Sequence, residues 1–397
     1  MHMTKNSAET PNKGIKLFLF LSDTNTMKTN KLPKNLFLLI WMFLAFPFLS
    51  GCLLKSDDPF KSSSKSSPAA ESTAPSSSDE TILSVSPRKM KNLGIFYGWP
   101  TAINNVHTID WNNRVSLASD EMAKYDRLIL GATLEDPAHG DHVNTKTIIT
   151  NIKGGLTGTQ MYGYVCIGSC GGANPSALTI NAKVDQWEVM EVDGIFFDEA
   201  GFDFGSVAET DAQKRARMVA IVGHAHSLGL KVMINAWDPD DIFTKVSENP
   251  VPFISGDSFL LESYLYSANL PTNDSIVLTN SGSFSDFLAR VDKAKNSKPN
   301  GVELWGVSTT GENIASFNVN HWSNVVSMAW AHNLTGIGWG TLNFSSSDSI
   351  MPFRAIPTGL LNLQFNSSNA NSSSLSVSVS NQDGTTQTLD SQFSLTP

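Results

Sequence analysis

The stretch Val192-Asp-Gly-Ile-Phe-Phe-Asp-Glu-Ala-Gly201 decides how the chain is read. Asp193-Gly194 is a turn signal, and Ile195, Phe196 and Phe197 follow as a short run of bulky apolar side chains. Such a run, bounded by turn residues, suits a strand buried on both faces of a parallel sheet. Two adjacent carboxylates, Asp198 and Glu199, then close it. Carboxylates at the C-terminal end of a parallel strand stand where barrel enzymes keep their chemistry. An isolated Asp-Glu pair is more often a helix cap and a solvated neighbour, so the surrounding chain has to decide.

Working outward, strand-like runs alternate with helical stretches from Lys91 onward. Leu93–Trp99, Arg127–Gly131 and Gln160–Gly168 precede the quoted stretch, and Lys231–Trp237, Phe259–Ser263, Gly301–Val307 and Thr335–Gly340 follow it. Helical patterns fall at Leu117–Tyr125, Asn181–Met190, Asp211–Leu228, Phe284–Ala294 and Trp322–His332. Eight strands with interposed helices and no Gly-rich dinucleotide fingerprint predict an α/β fold, a (β/α)₈ TIM barrel, over residues 89–356. Residues 357–397 read as a polar C-terminal tail or a small β-hairpin, with Leu375–Ser380 and Thr385–Leu389 as its two alternating strands.

The N-terminal part reads as an export and anchoring device. Lys28, Lys31 and Lys34 form a basic region and Leu36–Leu49 an apolar one, too short for a membrane span. Leu49-Ser50-Gly51-Cys52 closes it with small residues and looks like a bacterial lipobox, with Cys52 as the lipidated residue. Residues 27–51 are therefore expected to be a lipoprotein signal peptide, and 1–26 an extension upstream of the true start. Residues 52–88 are rich in Ser, Ala and Pro without apolar periodicity, the composition of a disordered tether. This predicts an exported protein held to the bacterial cell envelope through a lipid anchor.

Net charge is −9, with 22 basic against 35 acidic residues beyond Gly51. Phosphate binding needs a basic face, so no nucleic-acid partner is expected. Cys166 and Cys170 stand close enough in sequence to pair across a loop, or to remain two thiols; geometry decides between them. Asp136, His139, Asp141 and His142 lack the spacing of a known metal site and read as a polar loop. His224 and His226, two apart in a helix, do not share a face. Asp257, just before the sixth strand, belongs to the foot of a barrel. No metal and no cofactor are expected.

The strand ends collect a distinctive set of side chains. They are Tyr97 and Trp99, Asp198 and Glu199, Asn235 and Trp237, Glu262 with Tyr264, Trp305, and Trp339. Glycoside hydrolysis needs two carboxyl groups flanking the glycosidic oxygen. Strands four and six are alternate members of a barrel and can converge on one layer, so Asp198 or Glu199 facing Glu262 meets that need. Neighbours on a strand point to opposite faces, and spacing does not say which of the two faces inward. The aromatic residues suit stacking on sugar faces.

Tyr164-Val165 with a glycine-containing loop behind it, Trp187, the motif Val192–Glu199, Val232-Met-Ile-Asn235 and Asp257-Ser-Phe-Leu-Leu-Glu-Ser-Tyr264 follow one another in order. Together they resemble the spherulin-4 and endo-α-1,4-polygalactosaminidase group of glycoside hydrolases, families 114 and 135. The resemblance covers Leu93 to Trp339. It implies a (β/α)₈ fold, no cofactor, and cleavage of an α-1,4-linked galactosamine or N-acetylgalactosamine exopolysaccharide; the protein is expected to be a monomer. By position it implies Asp198 and Glu262 as the catalytic pair, with Glu199 as a close accessory. Tyr97, Trp99, Tyr164, Asn235, Trp237, Tyr264, Trp305 and Trp339 are the expected substrate-binding residues. Two loops depart from the family pattern: Asn235-Ala-Trp-Asp-Pro239 replaces Asn-Pro-Gly, and the loop after strand three carries Cys166 and Cys170. A catalytically silent glycan-binding surface lipoprotein is the rival reading.

Overall fold

A computed structural model describes residues 89–131, 133–155, 157–170, 174–205, 209–245, 248–267, 277–278, 284–310, 319–341, 344, 356, 364–370, 374–380 and 386–392. The extension 1–26, the signal segment 27–51 and the tether from Cys52 to 88 lie outside the described residues. In chain order the elements are β1 (Lys91–Phe96), a 3-10 turn over Pro100–Asn105, α1 (Val106–Ile109), α2 (Arg114–Met122), β2 (Arg127–Leu130), α3 (His142–Gly154), β3 (Gln160–Cys166), α4 (Ala177–Val189), β4 (Gly194–Asp198), α5 (Asp211–Ser227) and β5 (Lys231–Asn235). There follow α6 (Asp240–Phe243), β6 (Ser258–Glu262), β7 (Tyr266–Ser267), β8 (Val277–Leu278), α7 (Phe284–Ser297), β9 (Glu303–Thr310), α8 (Val319–Ala331) and β10 (Gly336–Thr341). Last come β11 (Gln364–Ala370), β12 (Ser374–Ser380) and β13 (Thr386–Gln392).

Eight parallel strands close on themselves in the order β1-β10-β9-β6-β5-β4-β3-β2. The fold is a (β/α)₈ barrel. Its strands are short and apolar because both faces are covered: Ile195, Phe196 and Phe197 of β4 are each at most 1% exposed. Burying a side chain of this size contributes roughly 1.5–3 kcal/mol. Helix starts are marked locally. Ser176 caps α4 through Thr179 N at 3.2 Å, and Thr210 with Gln213 forms a capping box at the start of α5. The helix α3 carries its buried residues at Thr145, Ile148, Ile149 and Ile152, a helical spacing that the β-branched run Ile148-Ile149-Thr150 disguises.

Inside the barrel the side chains form layers. At its foot Arg127 reaches across from β2, donating to Ser258 Oγ at 2.8 Å on β6 and to Glu303 Oε2 at 3.1 Å on β9. Its guanidinium lies between the Tyr162 ring at 4.6 Å and the Trp305 ring at 4.3 Å. Gly336 makes room for this layer, since a Cβ there would stand 2.3 Å from the Trp305 ring. Asp257 sits at the same end, accepting from Val232 N at 3.0 Å and Ile254 N at 2.7 Å. The opposite, C-terminal end is left to polar side chains. In the tail, β12 pairs antiparallel with β13, and β11, which its composition did not announce, joins on the other side of β12.

Candidate active site

Alternation along the strands brings five side chains to the mouth of the barrel. Tyr97 just beyond β1 meets Tyr164 of β3 edge-on, with ring centroids 5.0 Å apart. The Tyr164 hydroxyl donates to Asp198 Oδ2 at 2.9 Å. Asn235, last residue of β5, donates through one amide nitrogen to Asp198 Oδ1 and to Glu262 Oε2, each at 2.8 Å. The two carboxylates thus face each other across a single nitrogen. Amide hydrogens diverge by about 120°, which puts the two acceptor oxygens roughly 5 Å apart.

Of the Asp198-Glu199 pair, Asp198 is the one turned inward. Glu199 leaves the strand with φ +55° and swings its carboxylate to the loop after β3. There Oε2 accepts from Ser169 N at 2.6 Å and Ser169 Oγ at 3.3 Å. The loop approaches so closely that a Cβ at Gly168 would lie 2.5 Å from Glu199 Cβ. Cys166 and Cys170 form a disulfide that closes this loop. Cys166, Cys170 and Glu199 bring three ligand-type atoms together, but a disulfide offers no thiolate for a metal.

Burial, first of all, raises the Asp198 carboxyl above its ordinary range, and three donors oppose it: Asn235, the Tyr164 hydroxyl and Glu199 N–H. Burial also raises Glu262, and the Asp198 charge adds to it, against Asn235 and the cation of Arg290. Glu199 is raised by burial and by Asp198, while Ser169 and the Cys170 N–H pull it down. Tyr97 and Tyr164 are pushed well above the ordinary phenol, first by burial and then by Asp198. Crowded like charges in a poorly solvated pocket are the ordinary means of separating an acid from a base.

The aromatic residues divide. Trp99 and Trp237 are exposed, at 55% and 37%; Trp99 leans on His139 with centroids 5.2 Å apart. Three expected substrate contacts are corrected. Trp305 is fully buried and belongs to the foot of the barrel, because β9 runs on to Thr310 and Trp305 is near its start. Trp339 lies on the outward parity of β10, against Trp322 of α8 with centroids 5.4 Å apart. Tyr264 also faces outward and is fully buried, its hydroxyl 2.8 Å from His332 Nδ1.

In the polar loop after β2, Asp136 accepts from Ala138 N at 2.8 Å and His139 Nδ1 from Asp141 N at 3.1 Å. Asp141 accepts from Thr101 N at 2.9 Å, and His142 Nδ1 lies 2.8 Å from Leu134 O. His224 faces Asp185 at 2.6 Å and His226 faces Asp257 at 3.0 Å, on different sides of α5. Sequence reasoning missed Arg290. It sits on the buried face of α7 with Phe287, Val291 and Ala294, and that i, i+3, i+4, i+7 spacing is the signal that an arginine there is not a surface residue.

No protein-family profile matches the chain, and no curated protein matches it. Solved structures are similar to it at low identity. The glycoside hydrolase domain of PelA from Pseudomonas aeruginosa is 10% identical, with 64% of this chain and 95% of that one covered and a TM-score of 0.41. Ega3 of Aspergillus fumigatus, solved in complex with galactosamine, is 11% identical over 71% of this chain and 98% of that one, TM-score 0.40. A type I 3-dehydroquinate dehydratase from Clostridium difficile stands at a similar level, 10% identical over 68% and 90%, TM-score 0.37. Glycoside hydrolases are among the structures this chain resembles. Neither the fold nor the chemistry rests on these likenesses; the barrel is established by its own strand pairing.

Among the described residues no helix is long and apolar enough to cross a membrane.

Proposed function

We propose that the protein is a retaining glycoside hydrolase that cleaves an α-1,4-linked galactosamine or N-acetylgalactosamine polysaccharide. One observation carries the reading: the Asn235 amide nitrogen donates at 2.8 Å to both Asp198 and Glu262. Carboxyl groups about 5–5.5 Å apart serve a double displacement, whereas a wider pair leaves room for water and inverts. The sugar class comes from the sequence resemblance.

The roles follow from the hydrogen bonds. Asp198 has three donors, two on Oδ1 and the Tyr164 hydroxyl on Oδ2, an arrangement that favours the anion and makes it the nucleophile. Glu262 is raised first by burial and then by that neighbouring charge, which favours its protonated form and suits it to be the acid. Asp198 attacks the anomeric carbon while Glu262 gives its proton to the departing glycosidic oxygen. A water then attacks the glycosyl ester, losing its proton to Glu262 and freeing Asp198. Glu199 is an accessory of the mouth, and Tyr97, Trp99 and Trp237 contribute to sugar binding. Asn235, with its amide nitrogen committed to the two carboxyls, orients the pair.

The same reading places the protein outside the cytoplasm, exported and held to the envelope by lipid on Cys52, where an exopolysaccharide substrate is found. Incubation with partially deacetylated α-1,4-galactosaminan, followed by reducing ends and product masses, tests the activity. Release of oligosaccharides by the parent, and by neither Asp198→Asn nor Glu262→Gln, is expected. Binding without release in all three proteins would instead favour a glycan-binding surface lipoprotein.

A further inference from the structure

The helix α7 drives one cation into the barrel wall. Arg290 is 8% exposed and donates through Nη2 to the Glu262 carbonyl oxygen at 2.5 Å, with the Ser263 carbonyl at 3.5 Å. Its guanidinium also lies over the Trp237 ring, 4.2 Å from the centroid. Other cations of the helix are paired: Lys293 with Asp238 at 3.1 Å and Asp240 at 2.9 Å, Lys295 with Asp292 at 3.3 Å. Arg290 is in none of these pairs, and its buried Nε has no hydrogen-bond partner among the described residues.

An apolar residue would serve packing better at this position. Burying a cation away from a paired carboxylate costs several kcal/mol, and the neighbours Phe287, Val291 and Ala294 are all apolar and buried. Two of its contacts fall instead on the C-terminal end of β6, and the third on Trp237 just beyond β5. The carbonyls that Arg290 holds flank the point where the chain bends out of β6, with Ser263 at φ +52°. Trp237 is supported on one face and remains 37% exposed. Among the described residues, Arg290 is the cation that acts on Glu262. Asp198 and Glu199 at the end of β4 are the acids that act on it, while Tyr97 after β1, Tyr164 of β3, Asn235 of β5 and Val307 of β9 are neutral.

We propose that Arg290 is a positioning residue for Glu262: it pins the backbone that carries the acid, backs the Trp237 platform, and sets the field at the carboxyl. This rests on Glu262 being the acid/base. That group must give a proton in one step and take one in the next, so it must not bind its proton too tightly. Burial and Asp198 both push it toward the protonated form, and Arg290 pushes back. A nearby opposite charge moves a carboxyl by about 1–3 units; with the backbone between them, the low end applies.

The test titrates Glu262 directly in the full chain, with carboxyl-¹³C glutamate and NMR, its signal assigned by loss in Glu262→Gln. Parent, Arg290→Gln and Arg290→Lys are compared, each with a thermal melt to verify folding. In Arg290→Gln the Glu262 midpoint is expected to rise by about one pH unit, and the alkaline limb of kcat/KM to move with it. Arg290→Lys keeps the charge, so the midpoint stays near the parent's, while kcat falls at least about tenfold as the two-carbonyl grip and the flat stack are lost. A folded Arg290→Gln with an unmoved midpoint overturns the proposal. Should Arg290→Gln not fold, an Arg290→Lys enzyme with unchanged kcat overturns it. The titration needs no turnover, so a parent that cleaves nothing would sink the catalytic reading of Glu262 separately.

Discussion

Ser263, at φ +52°, repeats at the end of β6 what Glu199, at φ +55°, does at the end of β4. Each is the residue after an inward-facing carboxylate, and each turns the backbone sharply out of the strand. Left-handed backbone costs a residue with a Cβ about 1–2 kcal/mol. Glu199 therefore inverts the usual ranking of small residues: Glu199→Gly should be more stable than Glu199→Ala by about 1 kcal/mol in chemical denaturation. An alanine variant as stable as the glycine variant would mean that the bend is not held in solution.

The hydroxyl of Tyr164 is one of three donors on Asp198. Removing it in Tyr164→Phe should lower kcat/KM about 10–100-fold, the range of a hydrogen bond to a charged group. Asp198 must be ionised to attack, and losing a donor raises its pKa. The acid limb of the pH profile should accordingly move to higher pH. A uniform loss at every pH would point to a merely steric role for the phenol.

Glu262 is raised in the folded state, first by burial. The unfolded chain then releases that proton at lower pH than the folded one, so stability is lost as pH rises above the unfolded value. Glu262→Gln, which carries no charge, should melt higher than the parent at neutral pH. The gap should close below the ordinary carboxylate range, where both side chains are neutral. Equal melting temperatures across the pH range would deny the buried charge its cost.

The disulfide between Cys166 and Cys170 spans four positions in sequence and closes the loop whose Ser169 N–H holds Glu199. A ring this small contributes about 2 kcal/mol in the chain-entropy account. Cys166→Ser with Cys170→Ser should lose about that much stability. If Glu199 acts only when held by this loop, the double variant and Glu199→Gln should lower kcat/KM by similar factors, and combining them should add little.

Much of this was legible in the sequence. The apolar runs gave all eight barrel strands, because a parallel strand buried on both faces leaves a compact signature that neighbours need not explain. Their places at the ends of alternate strands set Asp198 or Glu199 opposite Glu262, and only the family resemblance singled out Asp198. Which of Asp198 and Glu199 turns inward was not, since that depends on where pairing with β3 sets the alternation. Trp305 and Trp339 were misplaced for the same reason. A strand's start and parity are fixed by its partners, and β9 extends three residues beyond the run that ends at Val307. Arg290 was readable in principle from its place on an apolar helix face, but a lone arginine in a charged helix looks like a solvated one.

The most direct test of the central claim, that Asp198 and Glu262 act as a nucleophile and acid/base pair, is the anomeric configuration of the first product. Proton NMR during the earliest minutes of polymer cleavage reads it before mutarotation erases it. The account predicts the α-anomer first, by net retention through a glycosyl ester on Asp198. The β-anomer first would contradict it, because a single displacement by water needs a wider gap than one Asn235 nitrogen, 2.8 Å from each carboxylate, can span.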